Sequence, residues 1–341
     1  MKKKSVTSHD VARLAGVSQS AVSRTFSPDA KVSDKTRKKV MEAARQLGYR
    51  PNTIARSLIT RSSRTVAVVV YSLENPFYSY MLEKASRFFK QQGYHLLLFS
   101  ASSSDGFDDV LDDILRSQVE GILMLAITLN DDQAALVCDY GIPVVIINRT
   151  VDYAGISQVA CDNFQGGYWA GRHLVSLGHR RIAYLSGLVD SSTDIQRRAG
   201  FVEGLASMGA ALHDSGIGHY QYTSACQATR LLFASTTPPD ALFAANDLMA
   251  IAAMEVIQSE FCLKVPEDVS VIGFDDVPMA AWPSHSLTTL QQPVQTMIMR
   301  ATELLLAQID QPDTPPQQIT LPVTPMLRGS VRRPSGDVND T

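Results

Sequence analysis

The sequence is poor in the residues that most secreted proteins, metalloproteins and membrane proteins require. Only four cysteines occur in 341 residues, Cys138, Cys161, Cys226 and Cys262, far apart and without a CxxC pair. That spacing excludes a disulfide framework or a zinc ribbon and predicts four reduced residues. The seven histidines form no close cluster, and no GxSxG, P-loop, HExxH or GxGxxG stands in its required context. The sequence therefore points away from an enzyme, and no metal or cofactor is expected. No apolar run is long enough to cross a bilayer, and the basic start MKKKSVTSHDVARLAG is not followed by the apolar region of a signal peptide. A cytoplasmic protein is expected, with no membrane partner.

What is present is a soluble composition, 45% hydrophobic and 19% charged, with a sharp charge asymmetry. Residues 1–64 hold 15 Lys and Arg against 4 Asp and Glu, net +11; residues 65–341 hold 16 against 30, net −14. A small basic module thus precedes a large acidic body. The length calls for two or three domains.

Within the basic module, TSHDVARLAGVSQSAVSRTF (7–26) divides around Gly16 into two short helical patterns. Val11, Ala12, Leu14 and Ala15 form the apolar face of the first, Gly16 permits the turn, and Ser18 caps the second. That is helix-turn-helix spacing. A third helix starts after the cap Ser33, buries Val40, Ala43, Ala44 and Leu47, and stops at Gly48. On the second helix Val17 and Val22 face inward, leaving Gln19, Ser20, Ser23 and Arg24 outside, where amide and guanidinium groups can reach base edges and hydroxyls can bind phosphate. The segment PNTIARSLITRSSRT (51–65) reads as a linker, yet carries Ile54, Leu58 and Ile59 at helical spacing. Either they pack on a neighbouring domain or they form a short helix that meets something outside this chain.

From Val66 onward apolar runs alternate with amphipathic stretches: VAVVVY, HLLLFS, GILMLA and VVIIN in one series, RIAYLSG, ALFAA and VSVIGFD in a second. Buried apolar strands alternating with helices predict α/β layers with parallel sheets, in two subdomains facing a cleft. Ligands of such folds sit beyond the carboxyl ends of the strands. Polar or aromatic residues stand there in both series, among them ENPFY, Asn148 and Arg149, Asp162, Arg197, Asn246, Asp275 and Gln292. Trp282 either lines the cleft or packs beneath it.

DVARLAGVSQSAVSR, followed by VSDKTRKKVMEAARQLGYRPNTIARSL, resembles the DNA-binding headpiece of the lactose and galactose repressor (LacI/GalR) family of bacterial transcriptional regulators. The resemblance implies an α/β architecture with an N-terminal helix-turn-helix headpiece (1–50), a hinge helix or linker (51–64) and a two-subdomain, periplasmic-binding-protein-like body (65–331). It divides the body into an N-subdomain of about 65–163 and 293–319 and a C-subdomain of about 164–292 and 320–331, with 332–341 as a tail. Candidate contacts to double-stranded operator DNA are Thr7, Ser18, Gln19, Ser20, Ser23, Arg24, Ser33 and Thr36. In the hinge they are Asn52, Ala55 and Leu58, the leucine being placed by the resemblance as a minor-groove wedge. By the same resemblance Phe77, Arg149, Arg197, Asn246, Asp275 and Gln292 contact a small-molecule effector. The sugar-responsive members often have Asp–Arg where this chain has Asn148 and Arg149. The expected protein is a homodimeric, ligand-controlled DNA-binding regulator, a repressor by resemblance. Its effector is expected to be a sugar or sugar derivative, the alternatives being a purine or nucleoside, or transport in place of regulation.

Overall fold

The computed structural model describes residues 6–26, 31–50, 62–101, 107–127 and 129–332. The chain falls into two units that part between Ser63 and Arg64.

Among its described residues the first unit holds three helices, α1 (Ser8–Ala15), α2 (Gln19–Thr25) and α3 (Asp34–Leu47). Each begins at a hydroxyl cap. Thr7 accepts from the Asp10 amide while the Asp10 carboxylate takes the Thr7 N–H in return, Ser18 accepts from Ala21, and Ser33 from Thr36. Gly16 and Gly48 end α1 and α3 in the left-handed conformation, at φ 63° and 64°. Val11, Ala12, Ala15, Val22, Val40, Ala43 and Ala44 form the core, with Val17 and Leu47 packed against it. Leu14, expected in that core, is instead half exposed. In a helix of eight residues the stripe Val11, Ala12, Ala15 already meets α3, and Leu14 falls beside it.

The second unit is built on two six-stranded sheets. The first is ordered β11, β5, β4, β3, β1, β2, from β1 (Thr65–Val70), β2 (His95–Ser100), β3 (Gly121–Leu125), β4 (Val144–Ile147), β5 (Ser157–Cys161) and β11 (Gln318–Leu321), with all pairings parallel. Around it lie α4 (Pro76–Gln91), α5 (Phe107–Arg116), α6 (Asp131–Asp139) and α11 (Val294–Asp310). The second sheet is ordered β12, β10, β9, β8, β6, β7. Its strands are β6 (Ile182–Ser186), β7 (Asp214–Ile217), β8 (Ala241–Ala244), β9 (Ser270–Asp275), β10 (Thr288–Gln291) and β12 (Thr324–Met326). Only β12 runs antiparallel. Its helices are α7 (Asn163–Ser176), α8 (Ser192–Ala206), α9 (Tyr222–Phe233) and α10 (Asp247–Ser259).

The chain passes between the sheets three times: after β5, after β10, whose successor α11 packs on β3, β4 and β5, and after β11. The last passage comes after Leu321 rather than after residue 319, because β11 pairs with β5 as far as Cys161. Strands buried on both faces explain the near-continuous apolar runs: every residue of β3, β4, β6 and β8 is buried. No described helix is long and apolar enough to cross a membrane.

Candidate effector cleft and DNA-binding face

The carboxyl ends of both sheets open onto one narrow pocket, lined by Asn75, Phe77, Tyr78, Asn148, Thr193, Arg197, Tyr220, Asn246 and Asp275. Asn75 caps α4 by accepting from the Phe77 amide at 3.0 Å, which presents the edge-on rings of Phe77 and Tyr78. Asn148 leaves β4 with φ 77°, and Asp275 ends β9 with φ 131°. Such strained backbone at strand ends is retained where the surroundings over-determine it, and it turns both side chains toward the cleft. The free space among these groups is about 10 Å³, on the order of one water. A larger ligand requires the walls to part. A direct bond ties the walls together, from the Thr150 amide to Ser192 Oγ at 2.8 Å.

Arg197 is the largest fully buried side chain in the protein. Its Nε donates to Asn163 Oδ1 at 2.8 Å and one terminal nitrogen donates to the Ala245 carbonyl at 2.5 Å; the same nitrogen lies 3.8 Å from Asp275 Oδ1. The guanidinium rests on the Phe274 ring, 3.6 Å from its centre. Asp275 also accepts from Gln292 Nε2 at 2.7 Å. Burial pushes the Asp275 carboxyl above the ordinary aspartate range, opposed by the Arg197 charge and the Gln292 bond. Burial likewise raises the phenols of Tyr78, to about 12, and Tyr220, so both stay protonated and able to donate.

The position of Arg197 depends on glycine. On α7, Gly167 and Gly171 face Gly200 and Gly204 of α8. A Cβ on Gly167 would stand 2.1 Å from the Arg197 carbonyl oxygen, and one on Gly200 2.0 Å from that of Phe164. The two helices thus touch backbone to backbone.

Buried polar atoms around the pocket without a hydrogen-bond partner among the described residues include Asn148 Oδ1, Gln292 Oε1 and Asn246 Nδ2. Two of these amides are oriented by their other end. Asn246 Oδ1 caps α10 by accepting from Met249, and Gln292 Nε2 is spent on Asp275. The site therefore offers two acceptors and one donor in addition to its charged pair.

Of the expected effector residues, Phe77, Arg197, Asn246 and Asp275 line the pocket and Gln292 touches Asp275. Arg149 is buried beside it, stacked 5.6 Å from the Tyr71 ring. Two lie elsewhere. Asp162 is the N-cap of α7, accepting from Gln165 at 3.0 Å. Trp282 neither lines the pocket nor packs beneath it: it is 52% exposed, next to a 3₁₀ turn (Pro278–Ala281), and stacks on His285. The aromatic that the sequence reading missed is Tyr220. It sits in the loop after β7 at φ 58°, its hydroxyl 3.1 Å from Thr193 Oγ1 and its ring where any side chain on Gly187 would collide.

In the first unit, Gln19, Ser20, Ser23 and Arg24 are exposed together on α2, near the exposed Lys35, Arg37, Lys38 and Lys39 of α3. Gln19 Nε2 donates to Ser8 Oγ at 3.2 Å, the Ser18 and Ser20 hydroxyls are 2.9 Å apart, and Arg24 Nε donates to the Ser20 carbonyl at 3.3 Å. Thr7, Ser18 and Ser33 serve as caps, and Thr36 Oγ1 meets the Ser33 hydroxyl at 2.9 Å. Asn52, Ala55 and Leu58 lie outside the described residues.

Comparison with known proteins joins the two units. The family described as bacterial regulatory proteins, lacI family, matches residues 7–52, and a periplasmic binding protein-like domain matches 172–331. The HTH-type transcriptional repressor PurR of Aliivibrio salmonicida is 33% identical over 89% of this chain and 92% of its own. Among solved structures, the Lac repressor dimer bound to operator and the anti-inducer ONPF is 29% identical, with a TM-score of 0.86 over 97% of this chain and 100% of that one. A transcriptional regulator CelR–cellobiose complex is 31% identical, with a TM-score of 0.72 over 95% and 99%. With a capped three-helix headpiece and a two-sheet body around a closed polar cleft, the chain belongs to the lacI family of bacterial regulatory proteins, ligand-responsive transcriptional regulators that bind DNA.

Proposed function

We propose that this regulator is a repressor whose operator affinity is set by a neutral, polyhydroxylated effector, a sugar or sugar derivative, enclosed between the two sheets. The observation that carries the reading is the hydrogen-bond capacity left at the cleft: acceptors at Asn148 and Gln292 and a donor at Asn246, all buried. A hydroxyl group both donates and accepts, so neighbouring hydroxyls satisfy all three atoms, whereas a phosphate or carboxylate only accepts and would leave the two acceptors unpaired. Phe77, Tyr78 and Tyr220 supply apolar faces for the C–H side of a sugar ring. Arg197 and Asp275 orient one another and each can still meet a hydroxyl. A structural relative solved as a complex with cellobiose supports the sugar class.

Gln19, Ser20 and Arg24 are the base-reading residues of this proposal, with Thr7, Ser18, Ser23, Ser33 and Thr36 toward phosphates and Asn52, Ala55 and Leu58 in the hinge. Two copies act together on a near-palindromic site. Support for a dimer comes from the exposed apolar side chains on the edge strands, Leu97 and Leu98 of β2 and Ile217 of β7, since uncovered apolar edges invite pairing.

A thermal-shift screen of sugars, sugar phosphates and nucleosides tests the effector class, because a ligand that binds only the folded state raises its stability. The reading requires a neutral sugar to raise Tm and to change operator affinity. Stabilisation by nucleosides alone would move the assignment to a flat heteroaromatic ligand held by the same aromatic side chains.

A further inference from the structure

We propose that Ser8 is a specificity-determining positioning residue, which fixes the amide of Gln19 so that it reads adenine in the operator. The inference rests on the reading that Gln19 faces base edges.

Ser8 and Gln19 are the first residues of α1 and α2, and the turn at Gly16 brings these two helix starts side by side. The neighbouring hydroxyls are committed. Thr7 is locked in a reciprocal cap with Asp10, and Ser18 accepts from Ala21 while meeting Ser20. Ser8 Oγ instead accepts from Gln19 Nε2 at 3.2 Å, although the two residues are eleven apart in sequence.

A glutamine free on a surface turns its amide either way and offers a base whichever end suits it. The N–H given to Ser8 must be the one pointing away from Oε1; the remaining N–H and the Oε1 then lie side by side as a donor and an acceptor. Adenine presents the complement in the major groove, N7 as acceptor and the N6 amino group as donor. Guanine presents two acceptors, N7 and O6, and would place O6 against Oε1. The bond to Ser8 thus turns an ambiguous side chain into a directional one before DNA arrives, at no ordering cost in the complex. Arg24 is held separately, through Nε to the Ser20 carbonyl, so a change at Ser8 should be confined to the position that Gln19 reads.

The test is selection of operators by the full-length protein from a near-palindromic duplex library randomised in each half-site, for wild type, Ser8→Ala, Ser8→Thr, Gln19→Ala and the double variant Ser8→Ala with Gln19→Ala. Wild type should require adenine at one symmetric pair of positions. Ser8→Ala should lower the adenine-over-guanine ratio at that pair by about five- to tenfold, within the range one bidentate contact supplies, and leave other positions unchanged. Ser8→Thr, which keeps the hydroxyl, should retain the wild-type preference, and the double variant should match Gln19→Ala. Wild-type preference in Ser8→Ala beside an altered Gln19→Ala would overturn the role of Ser8 while leaving Gln19 a base reader. Uniform weakening by Ser8→Ala at all positions, or loss of DNA binding in both Ser8 variants, would overturn it too, by making Ser8 a residue of the headpiece fold. A preference unaltered by Gln19→Ala would remove the base-reading assignment itself.

Discussion

Replacing Gly167 by alanine adds one methyl group outside the effector pocket, behind Arg197, and it should damage the effector site more than many changes inside it. Its Cβ would lie 2.1 Å from the Arg197 carbonyl oxygen, 2.9 Å from the Phe201 nitrogen and 3.0 Å from the Arg197 carbonyl carbon, all backbone atoms of α8 that cannot swing away. Ordinary contact begins near 3.4 Å, so the two helices must separate by about 1 Å or more. Overpacking of this kind costs about 1–3 kcal/mol, which for a unit of this size lowers Tm by roughly 2–5 °C. The functional effect follows from what moves. Arg197 rides on the displaced turn, and its bonds to Asn163 and Ala245, at 2.8 and 2.5 Å, leave no slack. Sites of this kind tolerate displacement of about 0.5 Å, so effector affinity should fall by about tenfold or more while operator binding without effector stays near the wild-type value. Calorimetric titration of the effector, with thermal unfolding of the same preparations, gives both numbers. Wild-type Tm and wild-type effector affinity in Gly167→Ala would refute the argument that backbone contact between α7 and α8 positions Arg197.

Other expectations follow from the same contacts. Arg197→Met keeps bulk against Phe274 but strands Asp275, and breaking such a buried pair costs about 3–5 kcal/mol and weakens effector binding by about 1–3 kcal/mol or more. A carboxyl raised by burial contributes stability that is present below its unfolded pKa of about 4 and is lost as pH rises. Burial holds that carboxyl up to about 8 in the wild type and loss of the Arg197 charge raises it further, so denaturant melts of Arg197→Met should go on worsening from pH 7 to pH 9 where wild type levels off, and a second change, Asp275→Asn, should remove the extra slope. His179 is fully buried against Asp240, Ser270 and Arg332, and burial together with the Arg332 charge holds it below the ordinary histidine range. Its contribution is present above the unfolded pKa of about 6.5 and is lost as pH falls, so His179→Gln should flatten the stability profile between pH 7 and pH 5 while lowering stability at pH 8. Leu58→Ala should reduce operator affinity and DNA bending, read by gel mobility of permuted duplexes, with effector affinity unchanged.

The headpiece was legible because its signals are local. Ser18 and Ser33 are good caps before apolar repeats, and Gly16 and Gly48 end their helices as glycine at those positions should. Leu14 shows the limit: eight residues are too few for periodicity to separate a buried stripe from its neighbour. In the body, strands buried on both faces announced themselves as apolar runs, whereas β7, an edge strand reading DSGI with three exposed residues, carries no such run. Asn246 and Asp275 could be nominated because each stands at a strand end, whereas Arg197 lies within α8 and was nominated by the family resemblance. Tyr220 could not, since its place in the cleft depends on a left-handed loop and on the bare backbone of Gly187, 33 residues earlier in the chain. Trp282 attracted attention by its residue type alone, and that type is equally at home on a surface. Asp162 stands at a strand end as expected, but its carboxylate is taken up in capping α7.

The central claim is that the cleft between the two sheets is where a small molecule acts on DNA binding, and the most direct measurement is operator affinity with and without effector for wild type and Asp275→Asn. Asparagine keeps the shape and the bond to Gln292 but removes the ionisable carboxyl that faces Arg197. Asp275→Asn should bind operator without effector within about twofold of wild type and need at least tenfold more sugar for the same change in affinity, the loss expected when one ionisable hydrogen-bonding partner is withdrawn from a buried site. An unaltered response to the same sugar concentrations would contradict the account and place the control site elsewhere in the molecule.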